Sequence, residues 1–263
     1  MGFMNYFFIS IFGLIAGSFS SYITYRMGKG KDLLFSYSKC VNCNSRLKFY
    51  NLIPLFSFIF QKGRCSICKN RVSRRYVAIE IFFLSIFNYI LFFNNGVVDH
   101  NLIFILIFAT IFAMIAIVDL EYYFIPDALQ VTLLLVIGIF MIFNAIDLND
   151  IFKSLTSAIL YLSFALFLHL SFLWVLKKEA IGVDDIKLFF CVGMLIGIEK
   201  FVDFAFFCGF FGVVFGSVWQ KIKNDDTFPF APSILTSCFL CFIMGVEYSM
   251  MEYLMVYFIE FIL

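Results

Sequence analysis

The sequence predicts an all-α polytopic membrane protein of about eight transmembrane helices, with a small zinc-binding insert between the first two. Three observations predict it. Hydrophobic residues fill 63% of the 263 positions and charged residues only 14%, for a mean hydropathy of +0.97. A soluble domain has too little core for that load. The apolar residues, 40 phenylalanines among them, are gathered into runs about as long as a bilayer is thick. The cations are not spread between those runs but concentrated in one stretch.

The apolar runs cover 4–24, 76–94, 101–119, 128–146, 153–176, 187–199, 201–219 and 231–250. The first is long enough to span and has no small-residue cleavage pattern after it, so it reads as a retained helix. The sixth is short for a full crossing and is expected to be tilted or partly re-entrant. The tail, 251–263, is apolar but carries Glu252 and Glu260. It either continues the last helix or turns along the interface.

Residues 25–75 form the longest polar stretch. They hold 12 of the 19 lysines and arginines, and Asp32 is their only acid. The positive-inside rule puts this stretch in the cytoplasm. Counting spans onward places 120–127, 177–186 and 220–230 inside. The loops at 95–100, 147–152 and 200 fall outside, with Lys153 and Lys200 as exceptions to the charge bias. Three parts follow: a first helix (1–24), a cytoplasmic insert (25–75) and a membrane-embedded remainder (76–263). The basic insert faces anionic lipid headgroups of the bilayer. Aromatic interleaving is sparse there, so no nucleic-acid partner is expected.

Within the insert, Cys40-Val41-Asn42-Cys43 is followed by Cys65-Ser66-Ile67-Cys68. Two such knuckles can present four sulfurs to one tetrahedral ion. Disulfides are disfavoured in a reducing cytoplasm. An insert this small builds little core, so a metal would supply folding energy. The assignment is structural Zn2+ on Cys40, Cys43, Cys65 and Cys68, since four thiolates leave no open position for catalysis. Cys191, Cys208, Cys238 and Cys241 lie in apolar runs and read as small packing residues.

Two aspartates stand where apolar runs meet cytoplasmic loops. Asp119 ends the third run, and Asp185 sits in Gly182-Val183-Asp184-Asp185-Ile186-Lys187 before the sixth. An ionisable residue at a membrane helix edge is costly and points to function. Two carboxylates in one site can share a proton, one acting as base and the other as acid. The plainer reading is two solvated helix-end residues. Asp127 after Pro126 suits a helix start, and Asp184 is expected to face solvent. Lys187 either offsets the acids or anchors the helix edge, and Gly182 is expected to supply backbone freedom beside Asp185. Glu80, one turn into the second helix, is either functional or a polar contact to the insert. His100 and His169 lack metal-ligand spacing and read as an outer-loop and a helix residue.

Taken together these stretches resemble the prepilin peptidases, the type IV leader peptidases of the Gly-x-Gly-Asp membrane aspartic protease class. Gly17-Ser18-Phe19 with Tyr25-Arg26, the paired knuckles around Asn51-Leu52-Ile53-Pro54, and Lys62-Gly63-Arg64 carry the likeness. So do Arg74-Arg75-Tyr76 with Glu80, Asp119-Leu120 through Pro126-Asp127, and Pro229-Phe230-Ala231-Pro232. The chain departs from the class signature in having Asp184 at its second glycine. Lys187 sets the register that makes Asp185 the catalytic member.

The resemblance implies catalysis by Asp119 and Asp185, with Gly182, Lys187, Asp127 and Glu80 as supporting or substrate residues. It implies a multi-pass protein of the bacterial cytoplasmic membrane with its active site facing the cytoplasm. It would remove the basic leader of prepilins or pseudopilins, beside pilus or secretion machinery. N-methylation of the new N-terminus with S-adenosylmethionine is implied too, with Glu80 at a position linked to it. A different Gly-x-Gly-Asp protease, or an adaptor or transporter with a zinc docking module, would also account for parts of the pattern.

The orientation is directly testable. A cysteine placed at Asn95 is expected to react with an impermeant thiol reagent in intact cells, and one at Lys223 only after the membrane is opened. The reverse pattern would overturn the topology.

Overall fold

The computed structural model describes residues 2–30, 37–144, 147–177, 181–223 and 227–244. Among these, every extended element is helical: α1 (Gly2–Gly28), a 3-10 turn (Phe49–Leu52), α2 (Phe56–Phe60), α3 (Arg74–Phe93), α4 (His100–Tyr122), α5 (Asp127–Phe143), α6 (Leu148–Leu176), α7 (Val183–Ile196), α8 (Phe201–Lys223) and α9 (Ala231–Met244). Among the described residues each of the eight apolar runs overlaps one helix, while 145–146 and 245–250, at the ends of two of the runs, lie outside them. Five of them, α1, α3, α4, α6 and α8, are long and apolar enough to cross a bilayer, while α5 and α9 are shorter apolar helices. Helix α7 has 14 residues, about 21 Å of rise against a hydrocarbon layer of roughly 30 Å. It begins at Val183 rather than at the expected Lys187. Asp184 and Asp185 therefore stand in its first turn, not in the loop, and Lys187 follows that turn rather than opening the helix. The tail 251–263 lies outside the described residues.

The chain divides into two compact units, Met1–Met114 and Ile115–Leu263. In the first, α1 lies along α3. Lipid tails are as apolar as leucine, so such pairing depends on close backbone approach and polar contacts rather than on water exclusion. Gly13 and Gly17 provide the approach: a Cβ on Gly17 would sit 2.9 Å from Glu80 Cα, and one on Gly13 3.0 Å from the Phe83 carbonyl oxygen. The polar contacts run the length of the pair. Asn5 Nδ2 donates to the Gly96 carbonyl (2.8 Å), Ser10 Oγ to Asn88 Oδ1 (3.1 Å), and the Arg75 guanidinium to the Ser21 carbonyl (3.1 Å) and Thr24 Oγ1 (2.8 Å).

In the second unit α7 packs against α6, α9 and α5, and α8 against α9. Gly193 of α7 admits the Tyr161 ring, whose nearest atoms would lie 2.8 Å from an added Cβ. The Tyr161 hydroxyl donates to the Gly197 carbonyl (3.1 Å) and Ser154 Oγ to that of Met194 (2.6 Å), so α6 grips the C-terminal end of α7 through its backbone. Cys191, Cys208, Cys238 and Cys241 are buried, in keeping with a packing role. The two lysines that break the charge bias each meet an acid three residues away: Lys153 with Asp150 at 2.8 Å, and Lys200 with Asp203 at 3.7 Å. Lys200 is buried with Asp203 rather than exposed in a loop.

Substituting Gly17 by leucine is expected to destabilise the α1–α3 pair by about 1–3 kcal/mol through overpacking. Gly138→Ala, where nothing lies within 4 Å of the added atom, should leave stability nearly unchanged. Thermal unfolding of the detergent-solubilised protein checks this. Equal midpoints for the two variants would contradict the packing account.

Candidate active site

Asp119 occupies the last turn of α4 and is 6% exposed. The helix stops directly after it. The Tyr123 amide donates to the Asp119 carbonyl (2.9 Å), Tyr123 turns to the left-handed φ of 60°, and Pro126 opens α5 in an extended conformation. A carboxylate at this depth needs a donor. It finds one in the second unit's last described helix: the Ala231 amide, first in α9, donates to Asp119 Oδ2 at 2.9 Å. First-turn amides have no partner within their own helix. The carboxylate thus satisfies an amide that Pro229-Phe230-Ala231-Pro232 brings to it, at the helix end that favours negative charge.

Asp185 is the third residue of α7. Its Oδ2 accepts the Gly182 amide at 3.1 Å, the acid-to-N-cap half of a capping box. Gly182 has φ −68° and ψ 154°, a backbone open to any residue. The expected role in backbone freedom is corrected: what matters is size, since a Cβ there would press on Asp185 Oδ2 at 3.2 Å.

Asp119 and Asp185 line one cavity of about 130 Å³, together with Tyr123, Phe124, Ile125, Gly182, Val183 and Asp184. That is room for several waters. Asp184, expected in solvent, is half-buried, and its Oδ1 is 3.1 Å from Lys187 Nζ. The same ammonium holds Asp127 Oδ1 at 2.7 Å. Lys187 therefore ties the start of α7 to the start of α5, and its charge is spent on Asp184 and Asp127.

Two further side chains reach this turn: Gln130, which was not singled out in the sequence, and His169, which read only as a helix residue. Gln130, buried on α5, donates Nε2–H to the Asp184 carbonyl at 3.0 Å. His169 of α6 has Nδ1 at 2.8 Å from the Ile181 carbonyl. The usable signal was Gln130 itself, an amide inside an otherwise apolar helix. His169, an ionisable residue inside the 153–176 run, gave the same signal, and in both cases the partner is a backbone carbonyl that residue identity does not reveal.

Glu80 belongs to the first unit. It is buried in the α1–α3 pair and accepts the Leu55 amide at 2.8 Å, with Ser18 as a second partner. Leu55 has a positive φ of 59°. Of the two readings for Glu80, the polar contact to the insert is the one this geometry contains.

The insert carries two turns of one design. Cys40 N–H donates to the Ser45 carbonyl and Asn44 N–H back to that of Cys40. Likewise Cys65 N–H donates to the Asn70 carbonyl and Lys69 N–H to that of Cys65. Lys39 bridges Arg46, and Arg64 bridges Arg71. Asn44 and Lys69 both take a left-handed backbone. The four Sγ atoms lie within 4.8 Å of one another, with Cys40 and Cys68 at 3.9 Å. Zinc–sulfur bonds of about 2.3 Å set tetrahedral sulfurs roughly 3.8 Å apart, so the cluster fits a metal. Its donors are prepared for one. The Ser45 hydroxyl, on the Cys43 sulfur, lowers that thiol to about 6, and the Cys68 and Ile67 amides lower Cys65. The Asn70 amide draws Cys68 down, but desolvation and the neighbouring thiols carry it up to about 11. A divalent metal ion held by the four sulfurs would take the place of their protons.

Comparison with known proteins follows the same two parts of the chain. The model of the bacterial peptidase A24 N-terminal domain matches residues 11–93, and that of the type IV leader peptidase family matches 106–217. The prepilin leader peptidase/N-methyltransferase of Bacillus subtilis (strain 168) is 27% identical over 241 residues, covering 89% of this chain and 92% of that protein. Its namesake from Vibrio cholerae serotype O1 is 30% identical over 210 residues, covering 75% and 79%. That from Dichelobacter nodosus is 24% identical, covering 93% of each chain. No solved structure matches the chain.

Proposed function

We propose that this chain, which belongs to the type IV leader peptidase family, is a membrane aspartic endopeptidase that removes the basic leader of prepilins or pseudopilins at the cytoplasmic face of the bacterial inner membrane. The reading rests on one observation: Asp119 and Asp185, 66 positions apart, line one cavity with room for several waters. The relatives' name supplies the substrate class, and the basic stretch 25–75 supports the orientation.

The chemistry follows from the dyad. The ionised carboxylate takes a proton from water, and the resulting hydroxide attacks the scissile carbonyl carbon. The protonated carboxylic acid gives its proton to the carbonyl oxygen, forming a neutral gem-diol. When the diol collapses, the C–N bond breaks. The first aspartate returns its proton to the departing nitrogen, and the second recovers one from the diol. The leader leaves with a new carboxyl terminus and the pilin with a new amine, with no acyl-enzyme. The dyad titrates as a pair, so acid and base belong to the pair rather than to one residue. On this reading Ala231 N–H and Gly182 N–H each hold one carboxylate oxygen and leave the other for water. Lys187 and Asp127 act as supports.

The domain assignment accompanies this reading: a first helix at 1–24, a cytoplasmic zinc insert at 25–75 and a membrane-embedded protease part at 76–263. Structural zinc on Cys40, Cys43, Cys65 and Cys68 would fold the insert. N-methyl transfer is carried over on the relatives' names alone, and S-adenosylmethionine as its donor on the family resemblance. No step is derived for it, and Glu80 is read here as a brace between Leu55 and the α1–α3 pair.

Asp119→Asn and Asp185→Asn are each expected to abolish prepilin cleavage in membranes while leaving insertion intact, since asparagine offers neither base nor acid. Asp184→Gly should keep most activity. Cleavage by Asp185→Asn but not by Asp184→Gly would shift the assignment by one residue. Metal analysis of the purified chain should find close to one equivalent of zinc. The metal should be lost on replacing any of the four insert cysteines and retained in Cys238→Ala and Cys241→Ala. A metal-free chain with full activity would refute the site.

A further inference from the structure

We propose that Gln130 and His169 are positioning residues that suspend the Asp185 turn between two helices. This rests on the reading of Asp185 as half of the catalytic dyad. Helix α5 turns Leu129, Gln130, Leu133, Ile137 and Met141 inward. Gln130 is the one amide on that stripe, and it is 4% exposed. Burying an unbonded amide is costly, and a leucine or methionine would fill the place more cheaply. What Gln130 has that they lack is the donor aimed at the Asp184 carbonyl, 3.0 Å away.

His169 makes the matching contact from the other side. A carbonyl oxygen only accepts, so the 2.8 Å approach of Nδ1 to the Ile181 carbonyl places the proton on Nδ1. The two gripped carbonyls flank Gly182 and Val183. Between them the Gly182 amide donates to Asp185 Oδ2. The backbone at 181, 182 and 184 is thereby held at three points, by α6, by Asp185 itself and by α5. Helix α7 is short and starts at this point, so it has no preceding helical turn to stiffen it. A carboxylate must be held within about half an ångström to activate water. Neither Gln130 nor His169 is among the residues lining the cavity, so their effect reaches the chemistry through the turn.

The test uses the full-length chain in lipid nanodiscs with a prepilin substrate. Gln130→Met keeps shape and removes the donor. His169→Leu removes the other donor, and His169→Asn restores an amide near the place of Nδ1. The expected result for Gln130→Met and His169→Leu is a fall in kcat of roughly 10- to 100-fold, with KM within about twofold and the thermal midpoint unchanged. His169→Asn should recover most of the loss. The double variant Gln130→Met/His169→Leu should lose less than the product of the single losses, because both act on one turn.

A second readout does not depend on catalysis: amide hydrogen exchange across residues 181–187 should accelerate in both donor-deleted variants and not elsewhere in α7. Unchanged kcat and unchanged exchange in folded Gln130→Met would overturn the proposal. So would a rise in KM at constant kcat, which would mark substrate contact instead. If Asp185→Asn still cleaves, the dyad reading fails, whereas the exchange result separately decides whether these side chains hold the turn.

Discussion

The second unit depends on satisfying a carboxylate where two apolar helices end. Asp119 is almost wholly buried, and in such a place the cost of its polarity falls on its partner. That partner is the backbone amide of Ala231 at 2.9 Å. The Pro229-Phe230-Ala231-Pro232 element is therefore more than a loop. Two prolines cannot donate from their nitrogens, and of the two amides between them it is that of Ala231, first in α9, that turns to the acid. The bond joins the last turn of α4, which closes at the left-handed Tyr123, to the start of α9. The same logic governs Asp185, which is satisfied within its own first turn by Gly182. Both acids are held by backbone, and their cationic neighbour Lys187 is committed to Asp127 and Asp184. A pair meant to share a proton is best left without a dedicated cation, which would favour full ionisation of both.

Much of this was legible in the amino-acid sequence because lipid imposes a simple rule. Spans must be long, apolar and helical, and the eight runs from 4–24 to 231–250 all correspond to helices. The knuckles were legible for a similar reason, since tetrathiolate geometry demands Cys-x-x-Cys twice. The likeness between the turns at Cys40–Ser45 and Cys65–Asn70 was not, because it lies in backbone hydrogen bonds and left-handed residues rather than in shared side chains. The start of α7 was misplaced by hydropathy. Asp184 and Asp185 look like loop residues to a scale that counts only apolarity, yet acids belong in a helical first turn. Gly182 was misread in kind, because closeness to Asp185 and not φ selects a small residue there.

Side chain to backbone contacts account for most of what remained hidden. Gln130 to Asp184, His169 to Ile181, Glu80 to Leu55 and Arg75 to Ser21 all end on main-chain atoms, which leave no trace in residue identity. Gln130, His169 and Glu80 each begin inside an apolar run, and Arg75 just before one. The lysines at 153 and 200 complete the pattern. They broke the charge rule on paper, but each is answered by an acid three residues away, and the Lys200–Asp203 pair is buried. In such a chain, a polar residue within an apolar run is a prompt to look for its partner.

The central claim, that Asp119 and Asp185 together bind the tetrahedral state of a peptide bond under attack by water, is tested most directly by binding without turnover. A peptide spanning the leader junction, with the scissile amide replaced by a hydroxyethylene group, mimics that state and cannot be cleaved. Its affinity for the wild-type chain in nanodiscs should exceed that of the parent substrate by about 100-fold or more. The advantage should vanish in both Asp119→Asn and Asp185→Asn. Equal affinity for the isostere in the wild type and either variant would contradict the shared site.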